Sequence, residues 1–388
     1  LAGVLESVLI RWDVLYGSGA QVLVAAQGIA VSLVRRLDRV SPSIGHRWPK
    51  EPLEGETLSR RLEVLPHGRR YKNRTLRRAK MWPWRYRLFA RLYQARSAGV
   101  IRMLTISMGM NIFPLYHDPG RTLAQLRSIG FGGVDFNYTD YASSPELMTS
   151  RFDRWTDALG TAAEKNRIRI FQAHAPCLAP WHSAEERQLL HGLTRHCLAA
   201  SGRLGVQWVV FHALPQPDFL GGPAQNSLLC ANADYFRSIL DLMPDGPGIA
   251  VENGSGELTR TAEELLGLVD RVGSERFGVC WDTGHAHLDG VDQDVEIAAL
   301  GATLKCLHVQ DNDGVSDQHL LPFAVRGGIK WQAVTRGLQR AAYRGAFNYE
   351  VHNAFHDRPP ESIPVILKHA HAVARVILEP LMADGQGE

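Results

Sequence analysis

Asp282, His285 and His287 gather where an apolar run, Phe277-Gly278-Val279-Cys280-Trp281, comes to its end. Carboxylate and imidazole are ligand types for zinc, manganese and similar ions. An apolar run of this length reads as a buried strand, and a strand end carries such side chains on a stiff support. Taken alone, the stretch is equally well a strand followed by a polar turn with satisfied histidines. The decision comes from repetition of the same event along the chain.

Eight apolar, strand-like runs are visible, at 104–108, 133–136, 168–173, 206–211, 249–251, 277–281, 304–309 and 347–351. The second ends near Asn137 and Tyr138, the third on His174 and the fourth on His212. The fifth ends on Glu252 and Asn253, and the sixth on Asp282 with His285 shortly after. The seventh carries His308, followed by Asp311, Asn312, Asp313, Asp317 and His319; the eighth ends on Glu350 and then His352. From the third run onward, every strand therefore ends on a metal-ligand residue type. If the ends share one rim, several carboxylates crowd together. That is costly unless a cation neutralises them, and a divalent metal removes the cost.

The elements that would hold these groups follow from the spacing. Helix-length amphipathic segments separate the strands, among them 122–129, 152–165, 262–272 and 331–343. Strand–helix alternation argues for parallel strands with helical crossovers. Eight such units in about 275 residues match an α/β fold of the (β/α)8 TIM-barrel type, with its chemistry at the carboxyl ends of the strands. A doubly wound sheet would carry a glycine-rich turn after its first strand. Gly109-Met110-Asn111-Ile112 does not fit that pattern.

The chain has 388 residues, 45% hydrophobic and 21% charged, as expected of a globular protein. Its net charge of +3 conceals an asymmetry. Residues 1–102 hold 20 Lys+Arg against 7 Asp+Glu; the remainder holds 23 against 33. The apolar run at 20–34 is too short for a transmembrane helix, and no membrane partner is expected. Trp82, Trp84, Tyr86 and Phe89 lie among arginines, a pattern compatible with single-stranded nucleic acid. The plainer expectation is a poorly ordered or partly helical basic extension over 1–102 that the working protein does not need, since Met103 stands directly before the first strand. The division expected is 1–102 extension, 103–380 catalytic barrel and 381–388 tail. Five cysteines with no C-x-x-C pair argue against a disulfide framework and for a cytoplasmic location.

With these residues in view, the segment from about 103 to 378 resembles the xylose-isomerase-like TIM-barrel superfamily. It is most similar to the sugar phosphate isomerase/epimerase branch, to which endonuclease IV is related. The resemblance rests on Ala250-Val251-Glu252-Asn253, on Cys280-Trp281-Asp282-Thr283-Gly284-His285-Ala286, on Leu307-His308-Val309 with Asp317-Gln318-His319, and on Asn348-Tyr349-Glu350. In the epimerase branch it implies one divalent ion (manganese, magnesium, cobalt or zinc) on Glu252, Asp282, His308 and Glu350, with His285 touching substrate. In the endonuclease branch it implies three zinc ions on His174, His212, Glu252, Asp282, His285, His308, Asp317, His319 and Glu350. One departure stands out: Lys330 occupies a position where many relatives carry Asp. Arg326, nearby, is a candidate for a substrate hydroxyl or phosphate.

The function expected is metal-dependent isomerisation or epimerisation of a sugar or sugar phosphate. Glu252 or Glu350 would take a proton from the carbon beside a carbonyl and form an enediolate. Trp181, Phe113 and Tyr138 are candidates for the apolar wall. Two alternatives stand beside it: zinc phosphodiester hydrolysis like that of endonuclease IV, and a non-catalytic sugar-binding barrel. The acidic barrel segment argues against nucleic acid as a partner. The full glutamate pair argues against a mere binder, and the resemblance implies a homo-oligomer.

Overall fold

The computed structural model describes residues 104–110, 118–138, 150–176, 184–214, 225–254 and 258–383. The basic segment, Phe113, Trp181 and residues 384–388 lie outside the described residues.

Eight strands alternate with helices. In order they are β1 (Thr105–Gly109), α1 (Pro119–Ile129), β2 (Gly133–Asn137), α2 (Ser150–Asn166), β3 (Arg169–His174), α3 (Ala184–Arg203), β4 (Trp208–Phe211) and α4 (Gln225–Asp241). There follow β5 (Gly248–Glu252), α5 (Ala262–Val272), β6 (Phe277–Asp282), α6 (Thr283–Leu288), α7 (Gln293–Leu300), β7 (Leu304–His308), α8 (Trp331–Arg340), β8 (Ala346–Tyr349), α9 (Ile363–Leu378) and α10 (Pro380–Ala383). All neighbouring strands pair in parallel, in the order β7-β6-β5-β4-β3-β2-β1-β8. A parallel bridge from Val309 to Tyr349 brings the two ends together, with Val309 N donating to Asn348 O and Glu350 N to Val309 O. The result is a (β/α)8 barrel. Each strand expected from its apolar run is present, with ends shifted by one or two residues.

Local chemistry explains the helix placement. In α5 the Thr261 side chain accepts from Glu264 N while the Glu264 carboxylate accepts from Thr261 N, a capping box. Ala262, Leu265, Leu268 and Val272 form its buried stripe, and Gly273, at φ 67, ends it in the left-handed conformation. Between helices and sheet lies one continuous apolar core that includes Trp281, Trp331, Phe136 and Phe347. Tyr138 belongs to this layer rather than to a cavity wall. Its ring packs edge-on to Phe136 at 4.6 Å, and its hydroxyl pairs with Ser201 Oγ at 2.9 Å. Among the described residues no helix is long and apolar enough to cross a membrane.

The barrel interior follows the two-residue period of a strand. Val210, Ala250, Cys280 and Cys306 make a separate small cluster inside β4 to β7. Two residues further along the same strands stand His212, Glu252, Asp282 and His308. The apolar layer therefore forms the floor on which the site is built. On the other side of the interior the floor is polar: Gln172 Nε2 and Asn348 Nδ2 both donate to Asp135 Oδ2, at 2.9 and 3.0 Å.

Candidate metal centre

Glu252, Asp282, His308 and Glu350 each offer one ligand atom, and the four atoms lie within 4.8 Å of one another. Glu252 is the hub. Its Oε1 is 2.8 Å from His308 Nδ1, and its Oε2 is 3.2 Å from His174 Nε2 and 3.1 Å from His212 Nε2. Glu350 Oε2 approaches the same His308 Nδ1 at 3.2 Å. Glu252, Asp282 and His308 are buried, whereas the His212 side chain is 46% exposed, so the group opens to solvent on that side.

Three further groups lie around this inner one: a set of His174, His308 and Glu350 overlaps it, and two others extend it. His174, His212 and Glu252 form one, sharing Glu252 with the inner group. His285, Asp317 and His319 form the other, with Asp317 Oδ2 3.3 Å from His285 Nε2 and 2.9 Å from His319 Nε2. The nine residues that the resemblance to the endonuclease branch implies thus lie in these neighbouring groups. Arg326 is exposed on the loop that follows β7.

Which nitrogen each histidine presents is decided by its other nitrogen. Nδ1 of His174 faces Ala175 O at 2.7 Å, that of His285 faces Asn253 O at 2.9 Å, and that of His319 faces Glu350 O at 3.0 Å. A carbonyl only accepts, so Nδ1 must donate, and Nε2 is left for the site. His308 is the exception. Its Nδ1 faces the site, and its Nε2, without an aligned hydrogen bond, lies 3.3 Å from Asp135 Oδ2.

The electrostatics match a cation site. For Glu252, burial raises the carboxyl, but the charge at His308 and hydrogen bonds from His174, His212 and His308 outweigh it and hold the group well below the usual range. Glu350 is likewise held low: burial opposes, while His308 and His319 prevail. Asp282 goes the other way. Burial, helped by the negative charge of Glu252, Glu350 and Asp317 and resisted by His285, pushes it up to about 6. Burial lowers His308 and His285, yet the surrounding negative charge lifts both well above the ordinary imidazole range. His319 is raised to about 9 against burial, chiefly by its hydrogen bond to Asp317. His352, whose ring lies 4.2 Å from that of His319, is lowered to about 4 by burial and by the charge on His319.

A divalent ion fits this donor set. Asp282 Oδ2 is buried with no hydrogen-bond partner. Nε2 of His174 and Nε2 of His212 both face Glu252 Oε2, at 3.2 and 3.1 Å, and a proton or a metal between nitrogen and oxygen satisfies either contact. Nitrogen and carboxylate oxygen together suit zinc, manganese or cobalt, and the carboxylates alone suit magnesium.

The strand-end reading reaches Asn253 and Asp311 without giving either a role, and the structure supplies one for each. Asn253 locks β5 to β6: its Oδ1 accepts from Asp282 N at 2.5 Å and its Nδ2 donates to Asp282 O at 3.0 Å. Asp311 organises the loop carrying Asp317 and His319. Its carboxylate accepts from the backbone N–H groups of Asn312, Phe323 and Ile329 and from Trp331 Nε1. Asp135, Gln172 and Asn348 carried one available signal, a polar residue within an otherwise buried parallel strand.

Comparison with known proteins agrees with this architecture. Over 213 residues the chain is 34% identical to the uncharacterized protein y4fM of Sinorhizobium fredii, a match covering 53% of this chain and 65% of that protein. An uncharacterized protein of Methanocaldococcus jannaschii is 28% identical over 190 residues, covering 46% of this chain and 64% of its own length. The chain thus spans just under two-thirds of these relatives. Among solved structures, the fold is similar to a D-tagatose 3-epimerase-like protein, with TM-score 0.56 and 21% identity over 71% of this chain and 99% of that one. It is also similar to the IOLI protein crystallised with a zinc atom, with TM-score 0.56 and 15% identity over 74% of this chain and 100% of that one. The family model of the xylose isomerase-like TIM barrel matches residues 123–369, and the chain belongs to that family.

Proposed function

We propose that this protein is a divalent-metal-dependent isomerase or epimerase acting on an open-chain sugar or sugar phosphate. One observation carries the reading. Two glutamates from distant strands, Glu252 and Glu350, approach a single imidazole nitrogen, His308 Nδ1, at 2.8 and 3.2 Å. A pair of carboxylates around one point is what proton removal and return next to a carbonyl requires. Solved structures of similar fold include D-psicose 3-epimerase and L-ribulose 3-epimerase, which supports the same substrate class.

Glu252, Asp282, His308 and Glu350 would hold the ion. When bound, the ion supplies Lewis acidity toward a substrate carbonyl. The chain does the rest. Both glutamates are held ionised by neighbouring imidazoles, so either can accept a proton from the carbon beside the carbonyl and leave an enediolate. Returning the proton to the same carbon from the other carboxylate inverts it; delivering it to the adjacent carbon interconverts aldose and ketose. His285, anchored through Nδ1 to Asn253 O, and the exposed Arg326 are the candidates for substrate oxygens.

The test is solvent exchange. The full chain, loaded with manganese, cobalt, magnesium or zinc, is incubated with ketoses, aldoses and their phosphates in deuterated water. Deuterium at the carbon beside the carbonyl, absent with Glu350→Gln, supports the reading. No exchange with any substrate under any metal contradicts it.

A second reading has its own observation. The overlapping groups bring the candidate ligands to nine, enough for a three-ion phosphodiester hydrolase. The net negative charge of residues 103–388 weighs against a DNA substrate. Cleavage of DNA at an abasic site by the zinc-loaded chain would favour this reading.

A further inference from the structure

Gln310 follows β7 by two residues and is fully buried. Its side-chain nitrogen stands between carboxylates that belong to different groups. Nε2 is 3.3 Å from Asp282 Oδ1, in the inner group, and 2.6 Å from Asp317 Oδ1, in the outer one. Both partners are acceptors, so the amide must turn its nitrogen toward them.

The consequence for each carboxylate is the same. Asp282 Oδ1 already accepts from His285 N at 2.7 Å. With Gln310 added it has two donors, and Oδ2 is the oxygen left over, buried and without a partner. Asp317 gives Oδ1 to Gln310 and turns Oδ2 to His285 and His319. One amide thus engages one oxygen of each carboxylate and leaves the other turned toward its own group of candidate ligands.

Gln310 is itself held in place. Its backbone N–H donates to Thr283 Oγ1 at 3.1 Å, and the Thr283 hydroxyl donates to Gln310 O at 2.7 Å. A Cβ at position 284 would run into the Gln310 amide, so Gly284 leaves the space it fills. These contacts hold an amide that touches two candidate ligands.

We infer that Gln310 is a positioning residue that selects the ligating oxygens of Asp282 and Asp317 and couples occupancy of the inner and outer groups. The inference rests on the reading in which the outer group of His285, Asp317 and His319 holds an ion as well as the inner one. An ion held by the outer group would fix Asp317, and Asp317 fixes Gln310 through its 2.6 Å contact. The remaining N–H of Gln310 then orders Asp282 before the inner ion arrives, so the second binding step loses less freedom than the first.

Zinc titration of the full chain against a chromophoric chelator tests this, comparing the wild type with Gln310→Met, which keeps the volume and removes the donor. The expected result is a loss of about 10–100-fold in inner-group affinity, the usual effect of removing an orienting partner. The variant should also bind its ions independently where the wild type binds them cooperatively. A residue that only fills space would shift the melting temperature and leave the coupling unchanged. Gln310→Asn, which keeps the amide but withdraws it by one methylene, is expected to show the same loss and serves if Gln310→Met does not fold. Wild-type affinity and cooperativity in either folded variant overturns the inference alone. A wild type that takes up no zinc overturns the metal-centre reading and the inference together.

Discussion

His308 and Asp135 are joined through the nitrogen of the imidazole that the site does not use. Nδ1 of His308 faces Glu252 and Glu350, while Nε2 lies 3.3 Å from Asp135 Oδ2. Asp135 is itself fixed by Gln172 and Asn348. A carboxylate behind a ligating histidine holds the tautomer in which the ligating nitrogen keeps its lone pair. Asp135→Asn preserves shape and removes the charge. Metal affinity is expected to fall by about 10–100-fold with little change in secondary structure. Chelator competition measures it, and unchanged affinity would show that His308 needs no such partner.

Glu350→Gln addresses the chemistry. The amide keeps the size of the side chain and cannot take a proton. Turnover should fall by about 10²–10⁴-fold, the usual worth of a positioned base, while circular dichroism remains that of the wild type. Normal turnover would remove both catalytic readings.

Metal affinity should rise with pH. His319 is raised to about 9, so at neutral pH it carries a proton that must leave before Nε2 can ligate. Asp282, raised to about 6, adds a second proton in mildly acidic solution. Both shifts favour the protonated group in the metal-free protein, so protons compete with the ion. Each proton released costs roughly tenfold in affinity per unit of pH below the group's own value. Zinc titrations at several pH values check the sign; a flat profile would exclude His319 as a ligand.

The loop after β7 should depend on Asp311. Asp311→Asn turns one accepting oxygen into a donor facing N–H groups, a change worth about 1–3 kcal/mol of stability. The expected result is a lower melting temperature and faster proteolysis within residues 312–330. Resistance equal to that of the wild type would mean that the loop is held by other contacts.

Much of the architecture was legible in the chain itself. Strand and helix periods are local properties, so eight apolar runs separated by amphipathic segments imply eight βα units. The strand ends then follow, because an apolar run stops where a side chain meets water or an ion. That logic reached His174, His212, Glu252, Asp282, His308 and Glu350 with no knowledge of which strands are neighbours.

The grouping of these residues required the closed barrel. His308 meets Glu252 and Glu350, 56 residues before it and 42 after it in the numbering, only because β5, β7 and β8 share one rim. In sequence Asp135 carries only the signal of a polar residue within a buried strand, and Gln310 carries none. One is a lone carboxylate within a strand and the other an amide in a loop, and each acquires its role from a partner on another strand. The residue types and strand ends that allow metal chemistry were set by sequence alone. The choice of nitrogen, of oxygen and of group for each candidate ligand was decided by tertiary structure, since hydrogen-bond direction depends on atoms that only folding brings together.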